Sequence, residues 1–294
     1  MKRTQLNLVL LGLAAALGLA VFLGQKKEEK GAPLTPLTAD TINSISIDHP
    51  SAAPIKLEKK QGRWVLTAPV QAQADPFEVN GVIALATAET RLTLDPAQAR
   101  PLDLGLQPSA YDVTFNDQKV EIGGVEPLKY RRYVRAGGRI ALVDDPPSAA
   151  LDADYSDLVS KNLVGDGERV TGVQLPGLTL TQSADGKQFT LDPADPKATP
   201  EQERKLLENW QHARAMWNAA DNGEAKGDTV TLQLAGRELK FIVAERDPQL
   251  VLVRPDLKLR YTMSKELLDT LLKLPEDKKP ETKPAPAAGI EPPK

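Results

Sequence analysis

The sequence predicts an α+β protein: an N-terminal transmembrane helix, then two similar halves, each an antiparallel sheet with a helix packed on one face. Three observations predict it. An uncharged apolar run occupies Leu6–Leu23. Alternating β-patterns joined by turn residues fill most of the rest. The order of strand, capped-helix and hairpin signals occurs twice.

Residues 6–24 read as a single membrane span. The run LNLVLLGLAAALGLAVFL has Asn7 as its only polar side chain. Its eighteen residues reach roughly 27 Å at about 1.5 Å each, close to the ~30 Å hydrocarbon core of a bilayer. A cleaved signal peptide is the competing reading. The exit Phe22-Leu23-Gly24-Gln25 lacks a small-residue cleavage pattern, so an uncleaved anchor is expected. Lys2 and Arg3 before the run nearly balance Lys26, Lys27 and Lys30 after it. Long domains translocate regardless of flanking charge, so residues 1–5 are expected as a cytoplasmic tail. The bulk of the chain is then expected on the periplasmic, extracytoplasmic side of the inner membrane. Residues 25–40, charged and then carrying Pro, Thr and Gly, read as a linker.

Residues 41–164 form the first expected repeat. Ile42–Ile47, Ile55–Glu58 and Arg63–Leu66 are strand patterns. Asp75-Pro76-Phe77-Glu78 is a helix start, with Asp as cap and Pro in the first turn. Val79, Val82, Ile83, Ala86 and Thr90 follow at helical spacing. Tyr111–Phe115 and Lys119–Ile122 pair around Asn116-Asp117; Arg132–Arg135 and Ile140–Val143 pair around Gly137-Gly138. A short helix over about Ser148–Val159 closes the half.

Residues 165–274 repeat the order. Val170–Leu175, Leu178–Thr181 and Gln188–Leu191 are strands, and Thr199-Pro200-Glu201-Gln202 caps a helix carrying Leu206, Trp210, Ala213 and Trp217 on one stripe. Thr229–Leu234 pairs with Glu238–Ala244, and Gln249–Val253 with Lys258–Tyr261. Ser264–Leu272 is the closing helix. The offset of roughly 117 to 128 residues is too long for a solenoid. Residues 275–294 hold six prolines among charged residues and read as a disordered tail.

Composition excludes several classes. Net charge is −3 and the pI about 5.6, which gives no bulk attraction to nucleic acid. With no cysteine there is no disulfide framework and no thiolate metal site. The two histidines, His49 and His212, stand in no metal-ligand pattern. No catalytic constellation or cofactor motif is visible, so no catalytic, cofactor or metal residue is assigned, and an enzyme is not expected.

Read in order, Ile45-x-Ile47, Trp64-Val65-Leu66, Ala74-Asp75 before a helix, Gly105-Leu106-x-Pro108, Ile122-Gly123 and Tyr133-Val134-Arg135 resemble domain-of-unknown-function family 4340, DUF4340. The resemblance covers most of residues 42–164, with the second half as its continuation. It implies no activity and no catalytic residues. It implies membrane-tethered bacterial proteins that accompany uncharacterised ABC transport systems of the gliding-motility type. The chain itself has no Walker motif.

Two residue groups are candidate contacts. Arg131, Arg132, Arg135 and Arg139 surround one hairpin and could hold an anionic partner; a solvated strand face is the plainer reading. Gly12, Ala16, Ala20 and Gly24 recur every fourth residue in the span, a spacing that lets another helix approach closely. Trp64, Trp210 and Trp217 are expected in the core. Asp144, Asp145, Asp152, Asp154 and Asp157 lack the order of a calcium loop and read as loop and helix-start residues. The expected function is a membrane-anchored extracytoplasmic binding or scaffold protein, possible partner of ABC-type transporter subunits. The alternative is a ligand receptor with a pocket between the two repeats.

Overall fold

The computed structural model describes residues 11–12, 16–17, 31–50, 52–95, 99–145 and 154–276. In chain order it gives β1 (Ser44–Asp48), β2 (Ile55–Lys60), β3 (Arg63–Ala68), β4 (Ala72–Gln73), helix α1 (Pro76–Ala86), β5 (Thr90–Leu94), β6 (Tyr111–Phe115), β7 (Gln118–Val125), β8 (Arg132–Ala136), β9 (Arg139–Val143) and the short helix α2 (Tyr155–Leu158). There follow β10 (Val170–Leu175), β11 (Leu178–Gln182), β12 (Phe189–Asp192), helix α3 (Pro200–Gln211), β13 (Trp217–Ala220), β14 (Asp228–Leu234), β15 (Glu238–Glu245), β16 (Leu250–Arg254), β17 (Leu259–Met263) and the short helix α4 (Leu268–Leu271). Contacts divide the chain into two units, Met1–Ala53 with Gly81–Leu151 and Pro54–Asn80 with Asp152–Lys294. The described residues of each are taken in turn.

In the first unit the strands lie in the order β1-β6-β7-β8-β9-β5, every pair antiparallel. Turn chemistry fixes the hairpins. Asn116 takes φ 54°, and Gly137 and Gly138 take φ 55° and 77°, the left-handed geometry that two-residue hairpin turns require. The Asn116 side chain also accepts from the Asn43 and Ser44 amides at 2.9 and 3.2 Å, which joins the turn to β1. Alternation puts Ile45, Ile47, Val113, Phe115, Val120, Ile122 and Val134 inside. Residues 31–35 dock near the end of α1: the Leu34 and Thr35 amides donate to the Ala88 and Ala86 carbonyls, and Leu34 and Thr35 are buried. A Cβ on Gly31 would lie 1.8 Å from the Thr90 carbonyl oxygen, so that approach needs glycine.

In the second unit, β2, β3 and β4 form a meander, its first hairpin turning at Gln61-Gly62 with φ 51° and 79°. A sheet of eight strands runs β12-β11-β10-β14-β15-β16-β17-β13. Helix α3 starts as its sequence directs. The Thr199 hydroxyl accepts from the Gln202 amide, and the Gln202 side chain accepts from the Thr199 amide. Leu206, Leu207 and Trp210 form its buried stripe. The Trp210 indole packs near Phe241, Phe241 meets Tyr261 edge-on, and the Trp210 N–H donates to the Leu271 carbonyl at 2.9 Å.

The two sequence repeats share a strand plan. The order β1-β6-β7-β8-β9-β5 corresponds strand for strand to β10-β14-β15-β16-β17-β13, and the hairpin β2-β3 to β11-β12. In both, the strand after the long helix returns to pair with the last strand of the following meander.

The expected fold class requires correction. The protein is mostly antiparallel β with few helices; among the named elements only α1 and α3 exceed one turn. The helical expectation overshot beyond Gln211, where apolar spacing continues but Trp217–Ala220 is a strand; of the helix expected over about Ser148–Val159, Tyr155–Leu158 is helical and residues 148–153 lie outside the described residues. The transmembrane helix expected at 6–24 is not supported. Leu11, Gly12, Ala16 and Leu17 are helical and exposed, the rest of that stretch lies outside the described residues, and among the described residues no helix is long and apolar enough to cross a membrane.

Candidate functional site

A cleft of about 510 Å³ opens in the second unit. Its floor is buried: Leu66 from β3, Val159 and Leu163 from the segment after α2, Leu257 from the β16–β17 turn, and Arg254 and Tyr261. Its rim is polar, with Lys60 and Arg63 at the β2–β3 turn, Gln71 and Gln73 on the returning strand, and Asp166, Glu168 and Arg237 opposite. The lining residues come from both sides of residue 164, where the sequence divides the two repeats. A wider groove of about 630 Å³ runs along the outer face of α3, lined by charged side chains such as Glu201, Arg204 and Lys205; neither Arg254 nor Tyr261 belongs to it.

Local bonding holds the walls. The Ser160 amide donates to the Gln73 carbonyl at 2.8 Å, and the Asp75 amide to the Leu158 carbonyl at 2.8 Å. The Gln73 side chain spans the rim: its oxygen accepts from the Asp166 amide at 2.9 Å and its nitrogen donates to the Asp166 carboxylate. Arg63 donates to the Asp166 carbonyl at 3.0 Å. Glu168 binds Arg237 through two bonds of 2.6 and 2.8 Å, and that pairing holds its carboxyl below the ordinary carboxylate value.

Arg254 and Tyr261 are the most unusual pair. Arg254 is 8% exposed, and Asp256 receives two bonds from it at 3.0 and 2.7 Å. Tyr261 lines the same cleft, and the Arg254 charge acts on its hydroxyl. Burial pushes the Tyr261 phenol up to about 12, against the pull of the guanidinium, so near neutral pH it is a hydrogen-bond donor and not a phenolate. The cleft can therefore donate hydrogen bonds and charge to a ligand. No histidine lines it, and among the described residues no group of three His, Cys, Asp or Glu side chains could hold a metal ion.

The candidate arginines lie elsewhere, in the first unit, and are engaged internally. Arg131 pairs with Asp144 at 3.5 Å, Arg132 grips Asp145 at 2.8 and 3.2 Å, Arg135 pairs with Glu121, and Arg139 donates to the Leu34 carbonyl. Of the small-residue row, Gly12 and Ala16 are exposed, while Ala20 and Gly24 lie outside the described residues. Asp154 caps α2, and Asp152 is outside the described residues. The tryptophans separate: Trp210 is fully buried, Trp64 is half-buried, and Trp217 is 46% exposed on β13. Trp217 is not a core residue, because α3 ends at Gln211 and the chain turns into an edge strand.

A family model described as Domain of unknown function (DUF4340) matches residues 64–249. The chain belongs to the DUF4340 family. The match begins in β3 and ends just before β16, so in this DUF4340 protein the family unit spans parts of both repeats and not the first half alone. Ile45-x-Ile47 falls outside it. No curated protein and no solved structure matches the chain.

Sequence reasoning missed the cleft. Its residues run from Lys60 to Tyr261, and no local motif joins them. One signal was available. Matching the hairpins β8–β9 and β16–β17 from their turns, Arg254 stands where the first repeat has Ala136, and Tyr261 where it has Ala141. A repeat that replaces two alanines by arginine and tyrosine at matched sheet positions marks those positions.

Proposed function

We propose that this protein is a non-catalytic binding module that accompanies an ABC-type transport complex and holds a ligand or a partner's segment in the cleft. The observation that carries the reading is the cleft itself, a concavity of about 510 Å³ with a buried floor and a polar rim, lined from both sides of the repeat boundary. It favours the receptor form of the expected binding function over a flat scaffold. The cleft chemistry supports binding over catalysis: its phenol is protonated, and its carboxylates are engaged, Glu168 by Arg237 and Asp166 by the Gln73 side chain. The extracytoplasmic setting and the ABC-type partner rest on the proteins that this family's resemblance implies, and a cysteine-free chain suits an oxidising compartment.

The test is recovery of partners by the tagged full-length protein from gently solubilised membranes. Thr67 is half-buried on the cleft wall. Thr67→Trp should fill the cleft and abolish recovery of partners that use it, with the melting temperature retained. Undiminished recovery by the filled variant would overturn the cleft as the binding site. A reporter enzyme active only outside the cytoplasm, fused after Leu274, should be active; activity only from a cytoplasmic reporter would overturn the setting.

A further inference from the structure

We infer that the cleft recognises an oxyanion, a carboxylate or phosphate group, through Arg254 and Tyr261 at its floor and Arg63 at its rim. The inference rests on the cleft being the binding site and names the ligand's charge. Four cationic side chains line the cleft, Lys60, Arg63, Arg237 and Arg254, against two acidic ones, Asp166 and Glu168. Their pairing is uneven. Arg237 is held by Glu168, and Lys60 lies 3.3 Å from Glu58. Arg63 has only the Asp166 carbonyl, and no carboxylate pairs with it among the described residues. Arg254 is buried, yet its carboxylate partner Asp256 is 57% exposed and sits outside the cleft lining. A guanidinium has five donors in a planar fork, and Asp256 takes two of them.

Burying a guanidinium at the floor of an open cleft is costly unless its remaining donors find acceptors. The first repeat avoids that cost with alanines at the matched positions, Ala136 and Ala141. The second repeat places a cation and a phenolic donor there together, and both are donors with no proton to release near neutral pH. A ligand oxyanion is the acceptor that such a pair fits, with Arg63 positioned to meet its outer face.

The test is thermal unfolding of the full-length protein titrated with inorganic phosphate or with succinate, against chloride at matched ionic strength. At least one oxyanion should raise the melting temperature saturably, and which one does so separates phosphate from carboxylate recognition. Arg63→Gln, at an exposed position, should fold like the wild type and weaken that oxyanion about tenfold, the effect of ~1.4 kcal/mol. Tyr261→Phe keeps the ring in place and should weaken it as well. No saturable shift with either oxyanion, or wild-type shifts in both variants, would overturn the inference. Partner recovery lost on filling the cleft, together with no oxyanion effect, would remove the ligand class and leave the binding site standing.

Discussion

Trp210 and Trp217 stand seven residues apart in sequence and occupy opposite environments, so truncating each separates the observed fold from a continuous helix. Trp210 is fully buried, against Phe241 with ring centroids 6.0 Å apart. A tryptophan buries about 150–250 Å², which at ~25 cal/mol per Å² corresponds to roughly 4–6 kcal/mol. Measured large-to-small core changes give about 3–5 kcal/mol, because the surroundings relax in part. Trp210→Ala also leaves the buried Leu271 carbonyl without the indole donor. A loss of about 4 kcal/mol is expected, a fall in melting temperature of roughly 8–16 °C for a domain of this size. Trp217 is 46% exposed on an edge strand, and Trp217→Ala should cost under about 1 kcal/mol. Urea denaturation of the two full-length variants, followed by circular dichroism, supplies the comparison. Equal losses, or a larger loss at Trp217, would refute the placement of β13 and the end of α3.

Three further outcomes follow from the same geometry. Glu168 has its pKa lowered by Arg237, so the pair contributes stability that is complete above the carboxyl's ordinary 4.5 and is lost as pH falls through the depressed folded value; Glu168→Gln should therefore flatten the acid side of the stability profile in urea titrations at stepped pH, and an unchanged profile would remove the pair from acid unfolding. Arg132, with a side chain 14% exposed that binds Asp145 and the Gly123 carbonyl, should cost about 1–3 kcal/mol when changed to alanine, whereas a purely solvated strand face would show almost none. A Cβ on Gly123 would lie 2.5 Å from the Leu104 carbonyl oxygen, so Gly123→Ala should destabilise by about 1–3 kcal/mol, read as an earlier melting transition; a wild-type melting curve would show that the 101–106 loop yields freely.

The hairpins were legible because their turn residues fix backbone geometry locally. Asn116, Gly137-Gly138 and the Gly at 236 announce left-handed conformations, and the pairing registers follow from them. Both long helices were legible at their starts, where Asp75 and Thr199 sit before proline. What failed were the strands that follow those helices. Thr90 and Trp217, the first residues of those strands, fit the helical spacing of the residues before them, and neither strand is signalled beyond them. No glycine or proline stands at the end of α3. It stops because residues 213–215 bond to 161–163 instead, a tertiary contact that no local pattern encodes. The cleft was hidden for the same reason, since its floor is assembled from distant strands. The arginine hairpin stood out in sequence because its charges are adjacent, yet each is spent on a neighbour within its own unit.

The returning edge strands impose an order on folding. When the chain is made from its N-terminus, β5 emerges early, but its partner β9 is complete only at residue 143. Until then, β5 lacks its partner strand and is held only at its start by the Thr90 bonds to the Ala32 carbonyl, while β6 to β9 can pair successively as they appear. The second sheet repeats the delay, with β13 waiting for residues 259–262. Each sheet thus gains as its edge a strand synthesised before the meander that it flanks. A chain halted between β5 and β9 leaves β5 without its partner strand, and one halted between β13 and β17 leaves β13 so, which makes those two intervals the points at which strand exchange with a second copy is expected.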